Sequence, residues 1–543
     1  PDLEPASRLR VVAFSPHGDQ GEKEIERVVA RDERGIYYLR PLRHFVDLLN
    51  PEAVRGYLKR AYESSWSRLA PHFGKTISSV WVDEPQFFPT TVPWTDALPQ
   101  EFERRWGYPL ADYIPALFHR SPDSAKVRHH YWRTVVAMFL EAYFAQVAAW
   151  CERHGLKFSG HLYGEDSLPH QIAWTATATT PYLYMQIPGV DHLSRNLTYP
   201  RISRDLMFIL TPKQCSSVAN QTGKREVLAE MYGTSSQGLT FQEQRWIGDY
   251  FALMGINYRC LHGSFYSMRG RRKRIHVPHL SYQQPWWPHF SQVSTYFKRL
   301  LYALRHGTYV ADVLVLHPLE SAFSLFDPAD FTMAGDRLAD DIVAMNRQLG
   351  LVSENLMRIH RGFDYGDEEI LSRMGEVLPG GRLRVGSMTY RAVVLPDVIT
   401  LRESTLKLLE SFIEAGGLVL AAGSLSERIE GALDPRAGRL GRRLRRVENS
   451  PEALARALDG HIPREFAVEG DERIRNLWVH QRDTEEGRLV FVANIDRSAP
   501  CSARLSWSES GVLEEWDAVS GDVRAVATSG SGAGPSVELE FGP

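Results

Sequence analysis

Between residues 76 and 261 the chain alternates short apolar runs with longer amphipathic stretches, and most apolar runs end in a polar residue capable of chemistry. The run 76–82 reads as a buried strand and closes on Asp83-Glu84-Pro85. A long helix is predicted over 127–154, because Val136, Phe139, Leu140, Phe144 and Val147 recur at three- and four-residue intervals. Gly155 ends it in the way a left-handed glycine ends helices. Strands follow at 156–162, at 182–187 (closed by Pro188-Gly189) and at 225–231. A helix over 242–253 then leads through Gly255 to a strand at 256–261. Strand and helix alternating in this way call for parallel βα units. Asp83, Glu84, His161, Glu165, Glu230 and His262 all fall at the carboxyl ends of these strands. That is where a (β/α)8 barrel of the TIM type builds its active site. The expected fold is therefore α/β, with a barrel over residues 1–305. Only five or six strands are visible from residue 76, not eight. The barrel thus lacks its first strands in this chain, or some strands escape the pattern. Residues 1–40 read instead as a short β-rich insert.

Beyond Trp286-Trp287 and a helix over 293–304 the pattern changes. Strands at 310–316, 391–395 and 418–422, with a helix over 403–415, read as a smaller doubly wound α/β unit spanning 306–465. It has no GxGxxG after a strand, and Gly380-Gly381 and Gly416-Gly417 read as turn glycines, so no nucleotide is expected there. Residues 425–465 read as a connecting helical stretch. From residue 466 onward, short strands at 476–481, 488–494, 503–507 and 512–516 suggest a small β-sandwich, with 528–534 a Ser/Gly loop. Three units suit 543 residues at about 150 or more residues per domain.

The charge balance excludes several partners. Lys+Arg 63 against Asp+Glu 66 gives a net charge of -3, which offers no general footprint for nucleic acid or an anionic membrane. The run Arg269–Arg274 is basic, and its default reading is a solvated loop. No uninterrupted apolar stretch of about 20 residues appears. The four cysteines, Cys151, Cys215, Cys260 and Cys501, include no CxxC pair and read as reduced thiols. No secretory signal is present, which points to the cytoplasm, although the chain begins at Pro1 rather than Met.

Three carboxylates stand out as catalytic candidates. Glu230 ends the apolar strand Val227-Leu228-Ala229, where its charged form is disfavoured unless a partner or a function compensates. Glu165 lies in Gly160-His161-Leu162-Tyr163-Gly164-Glu165-Asp166, beside an imidazole and a phenol. Glu84 shares a strand end with Asp83. Two carboxylates across a cleft are what glycoside hydrolysis requires, one to protonate the leaving oxygen and one to activate water or attack the anomeric carbon. The substrate-binding candidates are Asp83, His161, Tyr163, His262, Tyr266, Trp286 and Trp287, because sugars stack on aromatic rings and need short polar partners. His262-Gly263-Ser264 lacks the GxSxG nucleophile elbow. No transition-metal motif is present: His129-His130 on a helix do not share a face, and HExxH is absent. Calcium held by carboxylates and carbonyls is compatible with the sequence.

Several ordered motifs together resemble bacterial glycoside hydrolases related to family 106, which contains α-L-rhamnosidases. They are Val46-Asp47-Leu48-Leu49-Asn50-Pro51-Glu52, Asp83-Glu84-Pro85, Arg105-Trp106-Gly107-Tyr108, Gly160-His161-Leu162, Pro188-Gly189-Val190-Asp191, Ser216-Ser217-Val218-Ala219, Ala229-Glu230 and Gly255-Ile256-Asn257. The resemblance spans roughly residues 35–420. It implies a (β/α)8 barrel, an inverting mechanism with two glutamates, no required cofactor, and calcium near the substrate. Glu230 matches the family's Ala-Glu strand end. Glu84 falls on the family's acidic motif, but Asp-Glu-Pro replaces a longer pattern, and Glu165 has no counterpart. These departures suggest a sister group acting on a different sugar. The second unit resembles the flavodoxin-like domain of family 42 β-galactosidases, where it supports trimers, which points to a homo-oligomer. The leading expectation is a glycosidase that releases a terminal sugar from an oligosaccharide or glycoside. A retaining β-galactosidase-type enzyme and a non-catalytic carbohydrate-binding protein on a degenerate barrel are the alternatives. Carboxylates about 5–5.5 Å apart would mark retention and about 6.5–9.5 Å inversion.

Overall fold

A computed structural model describes residues 8–15, 25–87, 92–199, 203–274, 277–328, 340–528 and 534–543. Most of the 528–534 loop, and parts of the 1–40 insert, lie outside the described residues. Five strands form an all-parallel sheet in chain order: β1 (Ser79–Asp83), β2 (Lys157–His161), β3 (Ile187–Asp191), β4 (Leu228–Met231) and β5 (Tyr258–Leu261). This is half a barrel, so the expectation of eight strands is corrected to five among the described residues. Register places Asp83 level with His161, and Asp191 level with Glu230, so the acids of neighbouring strands share one end of the sheet.

The third strand corrects the sequence reading. Residues Thr180–Leu183 form a 3-10 turn, and the strand begins at Ile187, with Pro188-Gly189 inside it. Gly189 is there for close approach rather than for a turn: a Cβ on it would lie 2.6 Å from the Gly160 carbonyl oxygen. Gly160 is more constrained still. Its φ is +142°, and a Cβ would meet the Val82 carbonyl oxygen at 2.0 Å. These glycines let β1, β2 and β3 pack tightly beneath the site.

Helix α1 (Ser124–Arg153) is continuous through a π-helical turn at Leu140–Phe144. It is long and apolar enough to cross a membrane, but about two thirds of its apolar window is buried within the protein. Val135, Phe139, Phe144 and Val147 are fully buried, and Phe139 packs on Phe87 at 4.7 Å. Each such side chain contributes about 1.5–3 kcal/mol of burial. This is the core helix that the three- and four-residue spacing predicts. Helices α2 (Leu210–Thr222), α3 (Phe241–Leu253) and α4 (Phe290–Ala303) complete the layer; Thr240 and Glu243 close a capping box at the start of α3.

At the amino end, Arg27–Asp32, Gly35–Val46, Arg8–Ser15 and Pro93–Trp94 pair antiparallel in that order. The β-rich segment therefore runs past residue 40, to Val46.

A second parallel sheet contains β6 (Val313–Leu316), β7 (Phe363–Gly366), β8 (Ala392–Leu395), β9 (Leu418–Ala421) and β10 (Arg445–Arg446), in the spatial order β7-β6-β8-β9-β10. This is the flavodoxin-type order, with its switch point between β6 and β8. The strand β10 and the helices Pro435–Arg443 and Pro451–Asp459 correct the reading of 425–465 as a connector, since this stretch supplies the sheet's edge. Two three-stranded antiparallel sheets follow, one of Phe466–Gly470, Cys501–Trp507 and Ser536–Phe541. The other joins Leu477–Thr484 and Gly487–Asn494 to Thr308–Tyr309 from the linker. They enclose a small shared core that includes Phe466, Val468, Leu477, Leu505 and Val537.

Candidate active site

The carboxyl ends of β1 to β4 bring four acids around one imidazole. His161 is buried, and its Nε2 lies 3.0 Å from Glu230 Oε2 and 3.2 Å from Asp83 Oδ1. His262, one residue past β5, places Nε2 3.6 Å from Glu230 Oε1. Asp83, His161 and Glu230 each offer a donor atom within 4.8 Å of the others, and so do Glu84, His161 and Asp191. Trp81 packs edge-on against the His161 ring at 5.5 Å. Among the described residues, no arginine or lysine pairs with Asp83, Glu84, Asp191 or Glu230.

The surroundings pull these groups apart in protonation. Burial opposes charge on His161, but its hydrogen bonds to Asp83 and Glu230 prevail and lift the imidazole to about 11. It is therefore a cation at neutral pH and donates to both acids. Its hydrogen bond holds the Asp83 carboxyl below the usual range. Burial raises Glu84 to about 7, with Asp83 and Glu230 adding to the rise against the opposing charge of His161. Burial likewise raises Asp191 to about 7. At pH 7 the cluster thus holds protonated and ionised carboxyls side by side, the separation that acid and base catalysis use. Its donor set is mostly carboxylate oxygen, and Asp191 Oδ1 is buried without a hydrogen-bond partner. Hard divalent cations such as calcium favour such oxygens.

Backbone geometry sets both candidate glutamates apart. Glu84 has φ +53°, a left-handed conformation uncommon for a non-glycine residue. Immediately after Glu230, Tyr232, Thr234 and Ser236 have φ +78°, +55° and +68°. Such strain persists only where neighbouring structure enforces it. Here the Tyr232 hydroxyl donates to the Gln244 carbonyl at 2.9 Å, and Ser235 Oγ donates to the Tyr232 carbonyl at 2.5 Å.

Of the sequence candidates, Asp83, Glu84, His161, Glu230 and His262 come together in this cluster. Glu165 does not join it. Its side chain is buried, and Oε1 accepts from the Leu162 backbone N–H at 2.5 Å. Burial pushes this carboxyl well above its usual range. Tyr163 is half-buried and meets Trp174 edge-on at 4.7 Å. Trp286 packs on Phe241 and Phe290, and Trp287 stacks on Phe290 at 5.2 Å, so the described ring contacts of this pair are with the helix layer. Tyr266 is fully exposed. Asp191 is the site residue that sequence reasoning missed. Its signal was present, since an acid ends a buried strand at Val190, but the misplaced strand hid it.

An open half-barrel of parallel strands, with unpaired acids at its carboxyl edge and a flavodoxin-type unit behind it, defines the class: a glycoside hydrolase scaffold. Residues 44–327, just over half of the chain, match the α-L-rhamnosidase family model, and the chain belongs to glycoside hydrolase family 106. The fold is similar to that of the rhamnosidase from Novosphingobium sp. PP1Y, with a TM-score of 0.69 and 18% identity over 94% of this chain and 48% of that one. It is also similar to Gan42B, a GH42 β-galactosidase from G. stearothermophilus, with a TM-score of 0.57 and 11% identity over 98% of this chain and 86% of that one. A protein of Formosa agariphila, named as a candidate beta-glucuronidase, is 23% identical over 503 residues, 89% of this chain and 39% of its own length. The chain therefore spans about two fifths of that relative and about half of the Novosphingobium rhamnosidase.

Proposed function

We propose that the chain carries the catalytic centre of an exo-acting glycoside hydrolase of the α-L-rhamnosidase type, with Glu84 as general acid and Glu230 as general base. The observation that carries this reading is the split in protonation. Glu84 titrates at about 7 and so retains a proton to give to the leaving oxygen. Glu230 accepts from the charged His161 and faces His262, which suits it to orient and deprotonate a water. In the inverting scheme the water attacks the anomeric carbon from the face opposite the leaving group while Glu84 protonates the departing oxygen. One proton leaves the acid, one reaches the base, and the free sugar carries the inverted configuration. Asp83 and His161 support the pair by fixing Glu230's orientation.

Calcium belongs to the same proposal. Carboxylate oxygens of Asp83, Glu84, Asp191 and Glu230 would hold it, and bound there it would supply positive charge for sugar hydroxyls to ligate. Calorimetric titration of calcium into the protein and into Asp191→Asn checks this, with weaker binding expected in the variant.

The test of function is hydrolysis of aryl α-L-rhamnoside, β-galactoside and β-glucuronide by the chain and by Glu230→Gln, with the anomer followed by NMR. Release of one sugar with inversion, lost in the folded variant, supports the assignment. Equal release by both proteins overturns it.

A further inference from the structure

The basic run that sequence reading left as a solvated loop acquires a position from the fold. It lies in the connection between β5 and α4, on the same side of the sheet as Glu230. Between His262 and His289 the chain has five cations (Arg269, Arg271, Arg272, Lys273 and Arg274) and no acidic residue, in a chain whose net charge is -3. Arg269, Arg271, Arg272 and Arg274 are exposed, and among the described residues none of the four is ion-paired. Cations left without acids on an exposed turn are repelled by one another and gain by meeting an external anion.

The loop is anchored rather than free at its base. The Leu280 N–H donates to the Gly263 carbonyl at 2.8 Å, one residue from His262. Phe265 stacks on His279, and the Phe265 N–H donates to His279 Nδ1 at 3.0 Å. Gln237, seven residues beyond Glu230, binds the loop from the other side: its Nε2 donates to the Val277 carbonyl at 2.9 Å, and its Oε1 accepts from the His279 N–H at 3.1 Å. Gly263, at φ +141°, is required here, since a Cβ would lie 2.1 Å from the Pro278 carbonyl oxygen. With this neck beside His262, the arginines lie within about 25 Å of it, because each extended residue spans at most about 3.6 Å. Tyr266, fully exposed, stands between the neck and the arginines.

We propose that this arginine loop binds the anionic groups of a charged polysaccharide whose terminal sugar occupies the Glu230 site. This deepens the glycosidase reading and rests on it for the position of the terminal sugar. Arginine suits the task because its planar fork matches carboxylate and sulfate ester alike with paired hydrogen bonds. A short, localised patch in a chain otherwise near charge balance favours a glycan anchored at an adjacent sugar site over an extended nucleic-acid groove.

The experiment measures dissociation constants by fluorescence anisotropy, using the inactive Glu230→Gln protein so that nothing is cleaved. The probes are an oligogalacturonide (carboxylates), a κ-carrageenan oligosaccharide (sulfates), a neutral maltooligosaccharide of equal length and a single-stranded DNA oligonucleotide. At least one anionic glycan is expected to bind ten times or more tighter than the neutral one, and the tighter of the two identifies the anion. Adding Arg269→Gln, Arg271→Gln, Arg272→Gln and Arg274→Gln together should weaken that binding at least tenfold with the melting temperature unchanged. The single change Arg271→Gln and a rise from 50 to 300 mM NaCl should each weaken it in the same direction. Equal affinity for neutral and anionic glycans, an unaffected variant, or tighter binding of DNA than of either glycan overturns the proposal. Because binding is read without turnover, a failed hydrolysis panel and a failed anionic subsite are separate results.

Discussion

The two parallel sheets gather acids at the same kind of place and dispose of them in opposite ways. Doubly wound sheets and barrels alike open a crevice at the carboxyl ends of their strands. In the half-barrel, Asp83, Glu84, Asp191 and Glu230 meet there with only imidazoles for company. In the flavodoxin-type sheet, the ends of β6, β7 and β8 bring together His317, Glu320, Asp367, Glu368, Glu369 and Arg402. Arg402 is buried, donates to Glu320 Oε1 at 2.5 Å and also pairs with Glu369. His129 and Arg133 of α1 reach Glu320 from the half-barrel side, at 2.5 and 3.7 Å. Burial alone would raise the Glu320 carboxyl, yet Arg402 and its neighbours hold it well below the usual range. Burial and the nearby Glu320 charge raise Glu368 to about 8, so it takes the neutral role. The crevice is thus filled by its own ions, and the space left is about 10 Å³, enough for a single water. Acids matched by arginines hold two units together, and acids left unmatched are available for chemistry.

This contrast can be broken from either side. Glu230→Gln should lower kcat/KM on the cleaved glycoside by at least about a thousandfold, or about 4 kcal/mol of transition-state stabilisation. A loss under tenfold would remove Glu230 from the chemistry. On the other side, Arg402→Met should destabilise the protein by about 3–5 kcal/mol, because Glu320 and Glu369 would remain buried without their partner. An unmoved urea midpoint would show that the plugged crevice is not an anchoring network.

Glu84→Gln should reduce kcat by about a hundredfold with poor leaving groups and by less with nitrophenolate, which needs little protonation. In the wild type, activity should fall as pH rises through about 7, because the acid then loses its proton. A descending limb that survives in the variant would move the acid role elsewhere. The smallest effect concerns Asp191. Its carboxyl titrates at about 7 in the folded protein, above its ordinary value, so the folded state holds a proton that the unfolded chain has released. That contribution is lost as pH rises through 7. Asp191→Asn should therefore be about 1–2 kcal/mol more stable than wild type at pH 8.5 and nearly equal to it at pH 5. The same small gap at both pH values would mean that the carboxyl is not charged at cost.

Much of this was legible without the fold, and for a physical reason. Helix spacing around Phe139 and Val147 and apolar runs such as Val313–Leu316 follow directly from which side chains must leave water. Strand-end acids such as Glu230 show themselves because an acid closing an apolar run is costly unless something compensates it. Local pattern failed where the cause was a distant neighbour. Pro188-Gly189 looks like a turn, but Gly189 is set by the approach of Gly160 across the sheet. Glu165 looks like Glu84 in sequence, and only packing buries its carboxyl against the Leu162 amide. Sequence alone therefore determined the βα alternation, the units' order and the carboxylates at strand ends, since these depend on hydrophobic period and chain order. The tertiary structure decided which acids meet His161, which meet Arg402 and where the arginine loop is anchored. Those outcomes depend on register and on contacts between residues far apart in the chain, which set the local desolvation and charge on which each group's chemistry depends.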